Sequence, residues 1–320
     1  MSVENRTLTA IPGIAVGHYE DRAALCGVTV LRFLSQEGAI ASVDVRGSAP
    51  GTRETDLLDP INTIQRVHAI VLTGGSGYGL EAAGVGYRVG PGLLVPIVPA
   101  AVIFDLSLGD SRVRPTKAWG YQACESASRD PLASGNVGAG LGATVGKVFG
   151  ARRRMKGGLG SFVIGLPGGI KVGALVVVNA FGDIVNPENG EIVAGARGAR
   201  QGAFIDTTRA ILESATEPDA AQVMNTTLGV VATNARLDKT QLRKIAQTAH
   251  DGLARTIRPV HTLFDGDTIF AVSAPAGDLS AGLMAVAVAA ERALERAVLL
   301  AVETAETVPG APAARDWNPK

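Results

Sequence analysis

The sequence predicts a layered fold that mixes short β-strands with several long helices. Three observations carry this. Short apolar runs at Gly27–Leu34, Ala39–Val45 and Ala69–Thr73 lie between glycine-rich turns, as strands do. Asp238 with Gln241 three residues later forms a capping-box pattern that opens an amphipathic helix over Lys239–Thr256. A long Ala/Leu-rich segment, Leu279–Thr304, reads as a second helix. Strands interleaved with such helices give an α/β or α+β layered architecture.

The remaining elements follow in order. A helix is expected after Tyr78, through LEAAGVGYRV, and another over Pro115–Ser128, where the proline suits a first helical turn. Residues 135–150 form a glycine-rich loop. Ser161–Val185 reads as strands interrupted by a PGG turn, and Asn186–Gly190 as a turn. Residues 195–220 are small, polar and weakly periodic, which suggests a linker. Strands follow at Thr227–Thr233 and Thr268–Ser273. No repeat of fixed period is present.

Composition excludes several classes. A chain of 320 residues with 46% hydrophobic and 19% charged residues can bury a sizeable core, as one large domain or two smaller ones. Thirty basic residues balance thirty acidic ones, so no global field attracts nucleic acid or an anionic membrane. Aromatic residues, at 4%, are too scarce for a base-stacking surface. The 40 glycines are scattered, which excludes collagen and suggests tight turns and close backbone contacts. Cys26 and Cys124 can form neither a disulfide framework nor a four-thiolate zinc site. The N-terminus lacks a signal-peptide pattern, and Glu291, Arg292, Glu295 and Arg296 interrupt the longest apolar stretch. A cytoplasmic protein is the expectation.

Most catalytic motifs are missing. GLGATVGK at 140–147 has Leu141 where a phosphate-binding loop needs its first glycine, and Val148 where it needs a hydroxyl. Lys147 is then either a solvated side chain or a catalytic one. His18, His68, His250 and His261 show no zinc-ligand spacing, and there is no G-x-S-x-G elbow. Asp265 and Asp267 are either turn-formers or charges that steady a cation. Asn225-Thr226-Thr227 follows the polar segment and starts an apolar strand. It reads either as ordinary turn chemistry or as the site of an N-terminal nucleophile. A threonine hydroxyl is weak unless a base activates it, and the residue's own α-amine can be that base once the chain is cut before it. Such an amine titrates near ~8, which suits general base work.

Several long motifs then coincide in order: IPGIAVGHYEDR (11–22), VDVRGSAPGTRETDLLDP (43–60), LTGGSGYGLEAA (72–83), VPIVPAAVIFDL (95–106), NVGAGLGATVGK (136–147), MKGGLGSF (155–162), NTTLGVVATNARL (225–237) and AHDGLARTIRPVHTLFDGDTIFAVS (249–273). Over roughly residues 8–300 the chain resembles the DmpA/NylC-type self-processing peptidases and amidohydrolases. It is closer to the NylC-like branch, with threonine after asparagine. The resemblance implies a four-layer αββα sandwich similar to N-terminal nucleophile hydrolases, in one domain over 1–320. It implies a cut between Asn225 and Thr226 that yields an α chain 1–225 and a β chain 226–320. Thr226 is then the nucleophile and Lys147 a cation beside its amine. Asn179 is an amide donor to the oxyanion, Asp265 and Asp267 orient Thr226, and Tyr78 lines the substrate pocket. No cofactor, metal, nucleic acid or membrane is implied, and the expected assembly is a homotetramer of αβ units. The substrate is an amide. Aminopeptidase or β-aminopeptidase action on small peptides and endo-cleavage of 6-aminohexanoate (nylon) oligomers share this catalytic set. A binding protein that kept only the fold is disfavoured, because each mapped position is intact.

Overall fold

A computed structural model describes residues 4–84, 95–214, 225–274 and 277–318. The strands are β1 (Ile14–Asp21), β2 (Cys26–Phe33), β3 (Ala39–Val45), β4 (Thr52–Arg53), β5 (Arg66–Val67), β6 (Ala69–Thr73), β7 (Ala100–Val102), β8 (Thr144–Val145) and β9 (Met155–Lys156). They continue with β10 (Gly158–Leu166), β11 (Ile170–Asn179), β12 (Asp183–Val185), β13 (Ile192–Ala194), β14 (Ala196–Arg197), β15 (Phe204–Ile205), β16 (Thr226–Thr233), β17 (Ile257–Arg258) and β18 (Thr268–Ser273). The helices are α1 (Lys117–Glu125), α2 (Thr207–Ser214), α3 (Lys239–Thr256), α4 (Leu283–Glu303) and α5 (Ala314–Trp317).

Two sheets dominate, in the orders β1-β2-β6-β7-β4 and β10-β11-β16-β18-β3-β5. Their inner faces bury Leu31, Ile70 and Leu72 from one sheet against Val177, Leu228 and Phe270 from the other. The outer face of the larger sheet, with Val176, Val178 and Val231, packs on Ala246, Leu253, Leu294 and Val298 of α3 and α4. The smaller sheet places Val28, Val30 and Val71 against Ala82, Ala123 and Cys124, in a 3-10 helix and α1. The layers therefore run αββα, as the resemblance implies.

Period-2 alternation sorts the central strands between these two cores. Leu228, Val230 and Ala232 of β16 face the inter-sheet core, while Val231 faces the helices. Antiparallel β11 and parallel β18 flank β16, and α3 supplies the crossover that a parallel pair needs. The capping box is present: the Asp238 side chain accepts from Gln241 N–H, and the Gln241 side chain accepts from Asp238 N–H. Glycine lets the helix layer close onto the sheet, since a Cβ on Gly160 would lie 2.0 Å from the Ala297 carbonyl of α4. Cys26 and Cys124 are buried and free. Among the described residues no helix is long and apolar enough to cross a membrane.

Four local expectations need correction. The segment after Tyr78 is a 3-10 helix, Ser76–Ala83, rather than an α-helix, and the rest of the expected helix from residue 85 lies outside the described residues. The helix expected over Pro115–Ser128 spans only Lys117–Glu125. The glycine-rich loop 135–150 contains the short strand β8. The expected linker holds β14, β15 and α2. Asp183, buried in the fold, anchors that segment: its carboxylate accepts from Thr207 N–H at 2.7 Å, Thr207 Oγ1 at 2.8 Å and Ala196 N–H at 2.8 Å.

Candidate active site

Four strand ends meet at one end of the larger sheet: the C-terminus of β11, the N-termini of β16 and β18, and the C-terminus of β3. Thr226 opens β16 directly opposite Asn179, the last residue of β11. Both side chains belong to the inter-sheet face, two residues along from Leu228 and Val177. Thr227 therefore points to the helix side. Its main-chain N–H donates to Asp267 Oδ1 at 2.7 Å.

The loop before β18 wraps the Asn225–Thr226 bond. Asn225 N–H donates to the Phe264 carbonyl at 3.1 Å, and Gly266 N–H donates to the Asn225 carbonyl at 3.0 Å. Thr226 Oγ1 donates to the same Asn225 carbonyl oxygen. A second backbone loop braces this one: Ala49 N–H donates to the Asp265 carbonyl at 2.8 Å, and Arg46 N–H to the Asp267 carbonyl at 3.0 Å.

Lys147 reaches the site from the glycine-rich loop. Its N–H donates to the Phe181 carbonyl at 2.9 Å, and Gly146 N–H donates to the Gly182 carbonyl at 3.1 Å, which fixes the loop against the exit of β11. The Nζ donates to Asn179 Oδ1 at 2.7 Å and to the Asn179 carbonyl at 3.1 Å. The Asn179 Nδ2 donates to the Phe104 carbonyl at 3.2 Å, and Oδ1 also accepts from Thr144 N–H at 3.0 Å. Asn179 thus holds Lys147 and joins the end of β11 to the Phe104 and Thr144 main chain.

Burial drives the electrostatics. It pulls Lys147 well below the ordinary lysine range, with the Asp265 charge pulling the other way. Burial, then the charge of Asp267, pushes Asp265 up to about 7, and the Thr262 hydroxyl and N–H oppose that rise. An amine biased toward neutrality and a carboxylate near neutrality suit proton transfer at pH 7.

Sequence reasoning missed three neighbours. Gly266 is the spacer between the two aspartates. Asp105, at the exit of β7, is fully buried, accepts from Gly75 N–H at 2.7 Å and is raised by that burial. His261 has no metal-ligand spacing around it in the sequence, yet its Nδ1 lies 2.7 Å from Asp267 Oδ2, and its N–H donates to the same oxygen at 3.1 Å. The only sequence signal was its position six residues before Asp267. Tyr78 is not hydrogen-bonded to this cluster. Its ring is exposed, and the Arg114 guanidinium carbon stacks 3.6 Å from the ring centroid.

Behind His261 sits His250, with ring centroids 4.7 Å apart. Its Nε2 lies 3.1 Å from the Asp44 carbonyl. Burial, then the His261 charge, lowers His250 from 6.5 to about 4, with Asp44 opposing and Arg46 assisting. A depressed folded-state value means stability that is full above about 6.5 and lost as pH falls through about 4. The loss amounts to roughly 3 kcal/mol. Urea unfolding of a Thr226→Ala chain between pH 7 and pH 4 checks this: adding His250→Gln should remove about that much of the acid destabilisation. Parallel curves for the two chains would contradict a neutral buried His250.

An uncharacterized aminopeptidase of Mycobacterium tuberculosis is 43% identical over 98% of this chain and 98% of its own length. A 6-aminohexanoate-oligomer endohydrolase of Paenarthrobacter ureafaciens is 35% identical over 84% of this chain and 75% of its own length. Among solved structures, a Burkholderia beta-aminopeptidase has a TM-score of 0.70 at 21% identity, covering 98% of this chain and 91% of its own. The L-aminopeptidase D-Ala-esterase/amidase of Ochrobactrum anthropi, described as a variant of the Ntn hydrolase fold, also has a TM-score of 0.70, at 20% identity over 98% of this chain and 92% of its own. The sequence pattern of peptidase family S58 matches residues 6–315, and the chain belongs to that family of peptide- and amide-bond hydrolases.

Proposed function

We propose that this chain is an autoprocessed N-terminal threonine hydrolase that cleaves amide bonds of small peptides. One αββα domain cuts itself between Asn225 and Thr226 and works as an α chain 1–225 with a β chain 226–320. The observation that carries the reading is the start of β16. There the Thr226 hydroxyl rests on the carbonyl before it, on the same face as Asn179 and its partner Lys147.

In the first stage Thr226 Oγ attacks the Asn225 carbonyl carbon and gives up its proton to a nearby base. Lys147, biased toward its neutral form, suits that role. The C–N bond breaks, the Thr226 nitrogen takes a proton, and an ester joins Asn225 to Oγ. Water opens the ester, leaving the Asn225 carboxylate and a free Thr226 amine and hydroxyl. In the second stage this amine takes the Oγ proton as Oγ attacks a substrate amide, and it passes the proton to the departing substrate amine. Water hydrolyses the new ester. Asp267 holds the strand in place through the Thr227 N–H. Asp265 balances the charge of the ammonium form.

Endo-cleavage of 6-aminohexanoate oligomers is the second reading. It is supported by the 35% identity, over 84% of this chain, to a 6-aminohexanoate-oligomer endohydrolase. Amino-acid amides, their N-acetyl forms and linear 6-aminohexanoate oligomers, with products read by mass, separate the two. Aminopeptidase action predicts that acetylation abolishes turnover. Endo action predicts that acetylated and oligomeric substrates are still cut internally.

A further inference from the structure

We infer that the main-chain N–H of Gly266 is the oxyanion donor of self-cleavage, and that residue 266 is glycine because a side chain there would displace the attacking hydroxyl. This rests on the self-cleavage reading and adds a group to it.

The Asn225 carbonyl oxygen is the atom that becomes negative when Thr226 Oγ attacks. Gly266 N–H already points at it from 3.0 Å, within the range of an effective oxyanion donor. The other amide expected in that role, on Asn179, has its Nδ2 on the Phe104 carbonyl and its Oδ1 on Lys147. The donor is also held rigidly. The Gly266 carbonyl accepts from Thr268 Oγ1 at 2.9 Å, and the carbonyls of Asp265 and Asp267 on either side accept from Ala49, Arg46 and Gly47 N–H. A donor fixed before the reaction needs no reorganisation as charge develops. Glycine is required by proximity: a Cβ at 266 would lie 2.7 Å from Thr226 Oγ1 and 2.7 Å from the Ala49 carbonyl.

The step balances without a co-reactant. The Oγ–C bond forms as the hydroxyl proton passes to the base, the carbonyl π pair moves onto oxygen and is held by the Gly266 N–H, and its return expels the Thr226 nitrogen, which takes that proton and becomes the free amine.

Three chains test this, timed from refolding by the appearance of the two fragments, with near-UV circular dichroism matched to that of Thr226→Ala. In the first, glycolic acid replaces Gly266, which exchanges the N–H for an ester oxygen and adds no side chain. Its cutting half-time should lengthen about 10²–10³-fold. In the second, lactic acid replaces Ala49, which removes a neighbouring hydrogen bond of the same loop but leaves the Gly266 N–H. It should cut within a few-fold of the native rate. The third, Gly266→Ala, keeps the N–H and should stay whole. Native-rate cutting by the first chain, or equal slowing of the first and second, overturns the oxyanion role. Native-rate cutting by the third overturns the steric requirement. A native sequence that never cuts instead refutes self-cleavage itself, a separate and recognisable outcome.

Discussion

Thr226→Ala should remain a single uncut chain and lose essentially all amide hydrolysis, a fall on the order of 10⁶-fold in turnover, as when a covalent nucleophile is removed. The same hydroxyl serves both stages, so both fail together. Thr226→Ser keeps an oxygen at the same place and should retain cutting and turnover at a reduced rate. The adjacent Thr227 separates this account from its nearest rival. Its side chain points toward the helices while Thr226 shares the inter-sheet face with Asn179. Its part in the site is its main-chain N–H on Asp267, which substitution of the side chain leaves in place. Thr227→Ala should therefore still be cut and still turn over. Gel analysis and initial rates on the three variants decide the matter, and a dead Thr227→Ala beside a working Thr226→Ala would reassign the nucleophile.

Lys147→Met should slow both self-cleavage and turnover about 10²–10³-fold, the usual cost of losing one well-placed polar group. Methionine approximates the buried volume of the lysine stem and so avoids the cavity that alanine would leave. The prediction has two separable parts. Burial already disfavours the charged amine, so its removal relieves a desolvation cost even as Asn179 Oδ1 loses a partner. The melting temperature should accordingly change little while the rates collapse. A variant that cuts and turns over normally would return Lys147 to a merely structural role. One that loses its rates only in proportion to its folded fraction would do the same.

The parts of the fold legible in the sequence are those set by local pattern. The near-continuous apolar runs in Ile170–Asn179 and Thr226–Thr233, the capping box at Asp238 and the Ala/Leu run of α4 each state their structure within one element. What escaped depends on distant partners. The segment 195–220 looked unstructured because the group that organises α2, the Asp183 carboxylate, lies 24 residues before Thr207. β1 shows no such run: its apolar first half, all buried, gives way to polar His18–Asp21, all partly buried, so the strand lacks a pattern over its full length. At the site, Lys147, Asn179, Asp265 and Asp267 were named through family motifs rather than through chemistry visible in their spacing. His261 and Gly266 show their importance only when β18 is laid beside β16, which brings Asp265 level with Asn225 and His261 onto Asp267. A glycine chosen for close approach is indistinguishable in sequence from one chosen for a turn.

The most direct test of the central claim is intact mass and N-terminal sequencing of both fragments from active protein of native sequence. The account predicts two chains, one ending at Asn225 and one beginning with a free Thr226. An active protein that is still one continuous chain, or a second fragment that begins at Thr227 or elsewhere, would contradict it.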